Sequence, residues 1–182
     1  INQTRQIGLV VLGEIENYNE QFMPSYGEDG YSWVKRVDSL MKNVSLNDSY
    51  DFGDNNPGKQ GVWYCPSYNL DPDSYGSATF VHTGYNHSSL VGGGGNSNIG
   101  GKPGGSVGLV EKPVDTLLVG DAVHWNGLKG HWEMTFKNYN FRHHFGKSMN
   151  FMFIDGHLEN LKISTLTTDE NRLKKLNDGT WR

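Results

Sequence analysis

The chain has 182 residues, which suits a single domain, with a hydrophobic content of only 35%, 24 glycines and 12% aromatic residues. This mixture is typical of a loop-rich β or α+β protein and excludes a helical bundle. The net charge of −4 without a basic stripe excludes nucleic acid as a partner, and no run of 18 apolar residues is present to span a membrane.

The first predicted element is an amphipathic helix at the N-terminus. Apolar side chains recur there every three or four residues, at Ile7, Val11, Ile15, Tyr18 and Phe22. Pro24 and Gly27 are expected to end this helix. It has no evident N-cap, and the chain begins with Ile rather than Met. We therefore expect the helix to continue into a segment upstream of residue 1.

A second, shorter helix is predicted from a stripe between Trp33 and Met41, with Ser32 as its N-cap. Three strand candidates follow, at 62–64, 79–85 and 114–119. They are separated by turn-rich segments. Residues 92–108 contain nine glycines and are predicted to form a flexible loop.

The clearest local prediction is a β-hairpin near the C-terminus. Residues 149–154 form an apolar, aromatic strand, and Asp155-Gly156 is a two-residue turn that tolerates positive φ at both positions. Residues 157–163 then alternate, although Asn160 interrupts the strict period of two. A closing helix is predicted over 169–176. Helices followed by strands favour an α+β fold, with the first helix lying on an antiparallel sheet.

Histidines of the second half, together with the carboxylates of Asp121 and Asp155, raise the question of a metal. His143, His144 and His157 are candidates for a transition-metal site at the end of the hairpin, because imidazole and carboxylate suit such ions. Asp71 and Asp73 place oxygen ligands at alternate positions, as calcium prefers, although an Asp-Pro turn explains them equally. Ordinary half-buried histidines remain the alternative to the transition-metal site.

Other residues offer further chemistry. Trp125 and Trp132, beside two histidines, are candidates for a glycan platform, or else for core residues. Cys65 is the only cysteine. It is a buried hydrophobe, half of a disulfide whose partner lies in the segment expected upstream or, less in keeping with its neighbours, a reactive thiol. Carboxylates are plentiful, but their sequence spacing does not pair them for acid–base catalysis, so we expect a protein without enzymatic activity.

Three separated segments of the chain share a pattern with one protein family. The first is residues 2–9, Asn-Gln-Thr-Arg-Gln-Ile-Gly-Leu, and the second is residues 18–24. The third comprises Arg142, His143, His144, Asn150, Asp155, Gly156 and His157, with ten residues between His144 and Asp155. Together they resemble bacterial pilin-like proteins with a prepilin-type cleavage site and a C-terminal H-X9-DG signature, relatives of the type II secretion pseudopilins. In that family the first segment follows the membrane half of the first helix, the second is the exit from that helix, and the third is the signature, which has nine residues where this chain has ten.

The resemblance implies a pilin-like fold in which a long N-terminal helix packs on a small antiparallel sheet with long loops. It also implies a single head domain over residues 1–182, whose upstream half-helix anchors it in the cytoplasmic membrane after a prepilin peptidase removes a leader. The partners would be other pilin-like subunits or secretion machinery, the location extracytoplasmic, and no cofactor would be required. Cys65 would then pair with a cysteine upstream of Ile1. The alternative function is an extracytoplasmic surface module that binds glycans or metal ions.

Overall fold

The computed structural model describes residues 2–24, 29–49, 62–63, 65, 83–86, 105–122, 143–144, 147–162 and 164. Over these residues it contains helix α1 (Asn2–Asn17), helix α2 (Trp33–Lys42) and strands β1 (Thr83–Tyr85), β2 (Leu117–Asp121), β3 (Ser148–Phe153) and β4 (Leu158–Lys162). The four strands form one antiparallel sheet in the order β1-β2-β3-β4. The predicted α+β class is therefore confirmed.

Helix α1 is shorter than the sequence pattern predicts. It ends at Asn17, and Asn19 and Glu20 take left-handed φ values of 53° and 61° that turn the chain away from the helix axis. Phe22 is fully buried all the same, because it enters the core from the extended segment after this turn. The predicted continuation of the helix to Pro24 is thus wrong, although the stripe correctly identified side chains that face the core.

Helix α2 follows its prediction closely. It begins after Ser32, whose hydroxyl accepts the Lys35 N–H at 3.2 Å, and it ends with Asn43 in a left-handed C-cap. Its Trp33 packs edge-on against Trp63, with ring centroids 5.7 Å apart, and against Tyr85. Trp63 lies in a turn, so the strand predicted at 62–64 is not formed at residues 62 and 63.

The structure also differs from the prediction for one strand and for part of the glycine-rich segment. The strand predicted at 114–119 begins only at Leu117, because Pro113–Asp115 form a 3₁₀ turn, and it runs on to Asp121. In the part of the glycine-rich segment that is described, the chain is held in place: Phe22 N–H donates to the Gly105 carbonyl, and Val107 N–H donates to the Glu20 carbonyl. The remainder, 92–104, and the predicted helix at 169–176 lie outside the described residues.

The predicted hairpin is formed by β3 and β4, with Met152 opposite Leu158 and Ser148 opposite Lys162. Its turn differs in detail, since Gly156 has a φ of +89° and Asp155 does not have a positive φ. The Gly156 N–H donates to the Phe153 carbonyl at 3.0 Å, which closes a four-residue turn ending in a left-handed glycine. All six residues of β3 are buried, which explains its nearly continuous apolar sequence.

Helix α1 crosses the sheet at Gly8. A Cβ atom at this position would lie 2.2 Å from Met152 Sδ and 3.1 Å from Val119 Cγ2, so only glycine fits without displacing those side chains. Val119 and Met152 are paired across β2 and β3, and Tyr85 and Leu158 continue the same line across the outer strands. We call Tyr85, Val119, Met152 and Leu158 the apolar row. Ile7 and Val11 bury fully against the same core.

Candidate functional site in the polar row of the sheet

Two residues further along every strand, on the same face as the apolar row, the side chains are polar. Thr83 lies opposite Asp121, and Asn150 lies opposite Asn160. We call these four residues the polar row. Thr83, Asp121 and Asn150 are each less than 5% exposed. Burying such groups is costly unless they are hydrogen-bonded, so their partners decide what this region does.

Asp121 is the centre of the polar row. Its Oδ2 accepts the backbone N–H of Asn150 at 2.6 Å and lies 3.0 Å from His143 Nε2. Asn150 Oδ1 in turn accepts the Nδ2–H of Asn160 at 2.7 Å. One hydrogen-bonded chain therefore runs from His143 through β2 and β3 to β4.

The local backbone explains how His143 reaches this chain. His143 forms a single bridge with Ser148, in which each residue donates its N–H to the other's carbonyl. A tight turn that includes His144, with a left-handed φ of 48°, separates the two residues. Paired residues of antiparallel strands project from the same face, so the His143 imidazole emerges beside the end of the polar row.

The charge of His143 follows from this geometry. The hydrogen bond with Asp121 raises the pKa of His143 to about 9, Cys65 adds to the rise, and partial burial opposes it. At neutral pH the imidazole is therefore protonated. The contact is an ion pair between a side chain 19% exposed and one 5% exposed.

Cys65 also touches His143, with Sγ 4.0 Å from Nε2. Thiol and carboxylate thus approach the same ring nitrogen. In a thiol–imidazole–carboxylate relay the carboxylate orients the ring through one nitrogen and leaves the other nitrogen for the nucleophile. This arrangement therefore lacks the geometry of that relay. Of the readings left open for Cys65, its 6% exposure agrees with the buried one.

The remaining signature residues form a second, separate cluster at the β3–β4 turn. His157 Nδ1 lies 2.5 Å from Asp155 Oδ1, and His157 Nε2 lies 3.5 Å from Glu159 Oε1. The imidazole stacks on the Phe153 ring with centroids 4.2 Å apart. Although partial desolvation acts in the opposite direction, the hydrogen bonds from His157 lower the pKa of Asp155.

The structure thus divides the predicted signature between two places. Asn150 belongs to the polar row and His143 contacts that row through Asp121, whereas Asp155, Gly156 and His157 lie at the opposite end of β3. His143 is bonded to Asp121 in the first place, and His157 is bonded to Asp155 and Glu159 in the second. The network expected to link the basic residues to the turn includes Arg142, so it stays a prediction. Arg142 lies outside the described residues.

The candidate metal ligands are also separated. His143 and His157 occupy opposite ends of β3, and His144 is exposed. Asp71 and Asp73 lie outside the described residues, as do Trp125 and Trp132. Within the described part of the chain, no group of three or more His, Cys, Asp and Glu side chains is arranged to hold a metal ion.

Asn160 had not been identified as a site residue from the sequence, and Asp121 had been named only as a carboxylate beside the histidines. Asn160 left a signal, because it interrupts the alternation of the second hairpin strand, and the structure shows that it does so to pair with Asn150. Asp121 follows a buried strand directly, but nothing in its local sequence indicates that it meets His143.

Comparisons with known proteins found no matching family model, curated protein or solved structure. In the described residues, neither helix has the length and apolar character needed to cross a bilayer.

Proposed function

We propose that this chain is the head domain of a pilin- or pseudopilin-like structural subunit, and that it acts by packing with other subunits rather than by catalysis. In this proposal an upstream half-helix anchors the head to the cytoplasmic membrane, with the head on the extracytoplasmic side. The partners are other pilin-like subunits or the secretion machinery, and no cofactor takes part.

The observation that carries the proposal is the crossing of α1 over the sheet at Gly8. The segment that resembles the pilin-like family includes Ile7, which is buried in the core, and Gly8, which leaves no room for a Cβ atom against Met152 and Val119. A helix fixed in this way transmits force from its axis directly to the sheet, because its buried face interlocks with Val119 and Met152. A subunit in which a long helix carries a β-sheet head requires such a fixed connection between the helix and the sheet.

The polar row also supports a structural role. Asp121 Oδ2 contacts both the His143 imidazole and a backbone N–H, and Asn160 donates a hydrogen bond to Asn150 Oδ1. These groups hold β2, β3, β4 and the His143 turn together. They are engaged with one another instead of being directed toward a substrate.

The test is processing of the complete gene product in its host. A C-terminally tagged product is compared by immunoblot in cells with and without prepilin peptidase. We expect a smaller product in the first case, and membrane fractionation should place it on the extracytoplasmic side. The matched control replaces the glycine at the leader junction, which should block the change in size. An unchanged size in peptidase-containing cells would overturn the proposal.

A further inference from the structure

The outer edge of β4 presents backbone groups that the sheet does not use. In an antiparallel pair, every second residue directs its N–H and C=O away from the neighbouring strand. On β3, Ser148 and Asn150 donate their N–H groups on the side away from β4. The residues opposite them on β4, Lys162 and Asn160, therefore direct their own N–H and C=O outward, and so does Leu158.

This edge is open in the part of the chain that the structure describes. β4 is the last strand of the sheet, and no described residue bonds to the outward groups of Leu158, Asn160 and Lys162. The half-buried Asn160 amide is also only partly used. Its Nδ2 gives one hydrogen to Asn150, whereas its Oδ1 and second N–H have no partner among the described residues. An open edge of this kind is a template for one more strand.

We propose that β4 binds the β4 strand of a second copy of this chain, antiparallel to it and related by a two-fold axis at Asn160, so that two sheets join into one. The head alone makes this contact, so the inference goes beyond the proposed function and does not depend on an upstream helix.

Backbone geometry and charge both select the antiparallel orientation. A two-fold axis along parallel strands would set like residues level, whereas parallel pairing places an inward-directed residue opposite an outward-directed one. The exposed Lys162 has no ion-pair partner among the described residues. The antiparallel pair brings it to the turn end of the other copy, where Asp155 and Glu159 lie. A parallel pair would instead place these carboxylates beside their own copies.

The register follows from the same groups. Within the strand, the outward groups can align about an axis at Glu159, Asn160 or Leu161. An axis at Glu159 sets two carboxylates directly opposite each other, which is unfavourable. An axis at Asn160 forms the most hydrogen-bonded pairs: Asn160 meets its own copy, and Leu158 meets Lys162 on either side, for about six hydrogen bonds. The two Asn160 amides then face each other, so the hydrogen bonds of the polar row continue across the dimer.

The contact is isologous and closes as a dimer. A single added strand buries little surface compared with a stable interface, so the free chain should associate weakly, with a Kd of roughly 0.1–1 mM.

The test places charges on the two-fold axis. Sedimentation velocity of the native chain over a concentration series should show a monomer–dimer equilibrium. Asn160→Asp and Asn160→Lys should each weaken the dimer roughly tenfold, because each sets like charges directly opposite one another. An equimolar mixture of the two variants should recover the dimer, since aspartate then faces lysine. Asn2→Asp and Asn2→Lys, at an exposed position of α1, change the net charge equally and should leave the dimer unchanged.

Disulfide trapping tests the register. Asn160→Cys should form a crosslinked dimer under oxidation, because the two Cα atoms lie about 5.5 Å apart. Lys162→Cys is the control, because its Cα atom lies about 14 Å from that of its own copy. Circular dichroism establishes that each variant is folded.

Each of four results would overturn the inference: a native chain that stays monomeric, charged Asn160 variants that associate like the native chain, a mixture that does not recover, or equal crosslinking at positions 160 and 162. Leader processing is unaffected by any of these variants, so failure of this contact and failure of the proposed anchored subunit are observed separately.

Discussion

The apolar row and the polar row occupy the same face of the same sheet, two residues apart in every strand, yet they are stabilised in different ways. Tyr85, Val119, Met152 and Leu158 contribute to the packing beneath and around α1. In the polar row, Asp121, Asn150 and Asn160 are joined by hydrogen bonds that end at His143. The contrast teaches that burial sets how large the energetic effect of a group is, while the partner of that group decides whether the effect stabilises or destabilises the fold.

Removing the charge at the centre of the polar row should have the largest effect. In Asp121→Asn the His143 imidazolium loses its carboxylate, and a buried charge without a partner costs about 3 kcal/mol. We expect a correspondingly lower urea midpoint with an unchanged m-value. Asp155→Asn at the exposed turn is the control, and it should cost under about 1 kcal/mol. Equal losses at both positions would break the comparison.

The same ion pair should make stability depend on pH in the alkaline range. Because the folded-state pKa of His143 is raised to about 9 from 6.5, its stabilisation is fully present below about pH 6.5 and is lost as the pH rises through 9. We expect a loss of about 2 kcal/mol over this window, discounted for partial exposure of the imidazole. Urea unfolding from pH 6 to 10 measures it. In His143→Gln this part of the pH dependence should disappear, and its persistence would assign the effect to other groups.

The apolar row is tested at the helix crossing. Gly8→Ala forces a methyl group against Met152 and Val119, so overpacking should destabilise the fold by about 1–2 kcal/mol despite the better helix propensity of alanine. Gly13→Ala is the matched control on the same helix. Nothing lies within 4 Å of its Cβ position, so alanine there should stabilise by about 0.5–1 kcal/mol. A change of the same sign in both variants would show that α1 does not approach the sheet at Gly8.

These two rows were not equally visible in the sequence. The apolar row follows from periodicity, since the stripe of α1, the α2 cap and the hairpin strands are all local patterns of side-chain type. The helix end at Asn17 was not predicted, because Tyr18 and Phe22 continue the spacing of three or four residues although both lie beyond the end of the helix. The polar row depends on contacts between residues distant in sequence: Asp121 meets residues 22 and 29 positions further along the chain. Asn160, which interrupts the alternation of its strand, was the one local sign of the polar row in the sequence.

The last prediction compares two variants within the polar row. It separates the cost of leaving a buried polar group without a partner from the cost of losing the hydrogen bond itself. Asn160→Leu should cost about 1 kcal/mol, because it leaves Asn150 Oδ1 buried without its donor. The double variant N150L/N160L removes both polar groups. Since replacing both partners by apolar side chains can be nearly neutral, it should be more stable than the single variant. Urea denaturation of the complete cycle measures the coupling. A double variant whose loss equals or exceeds the sum of the single losses would mean that Asn150 serves another buried group. The polar row would then be held by more than the hydrogen bonds described between its members.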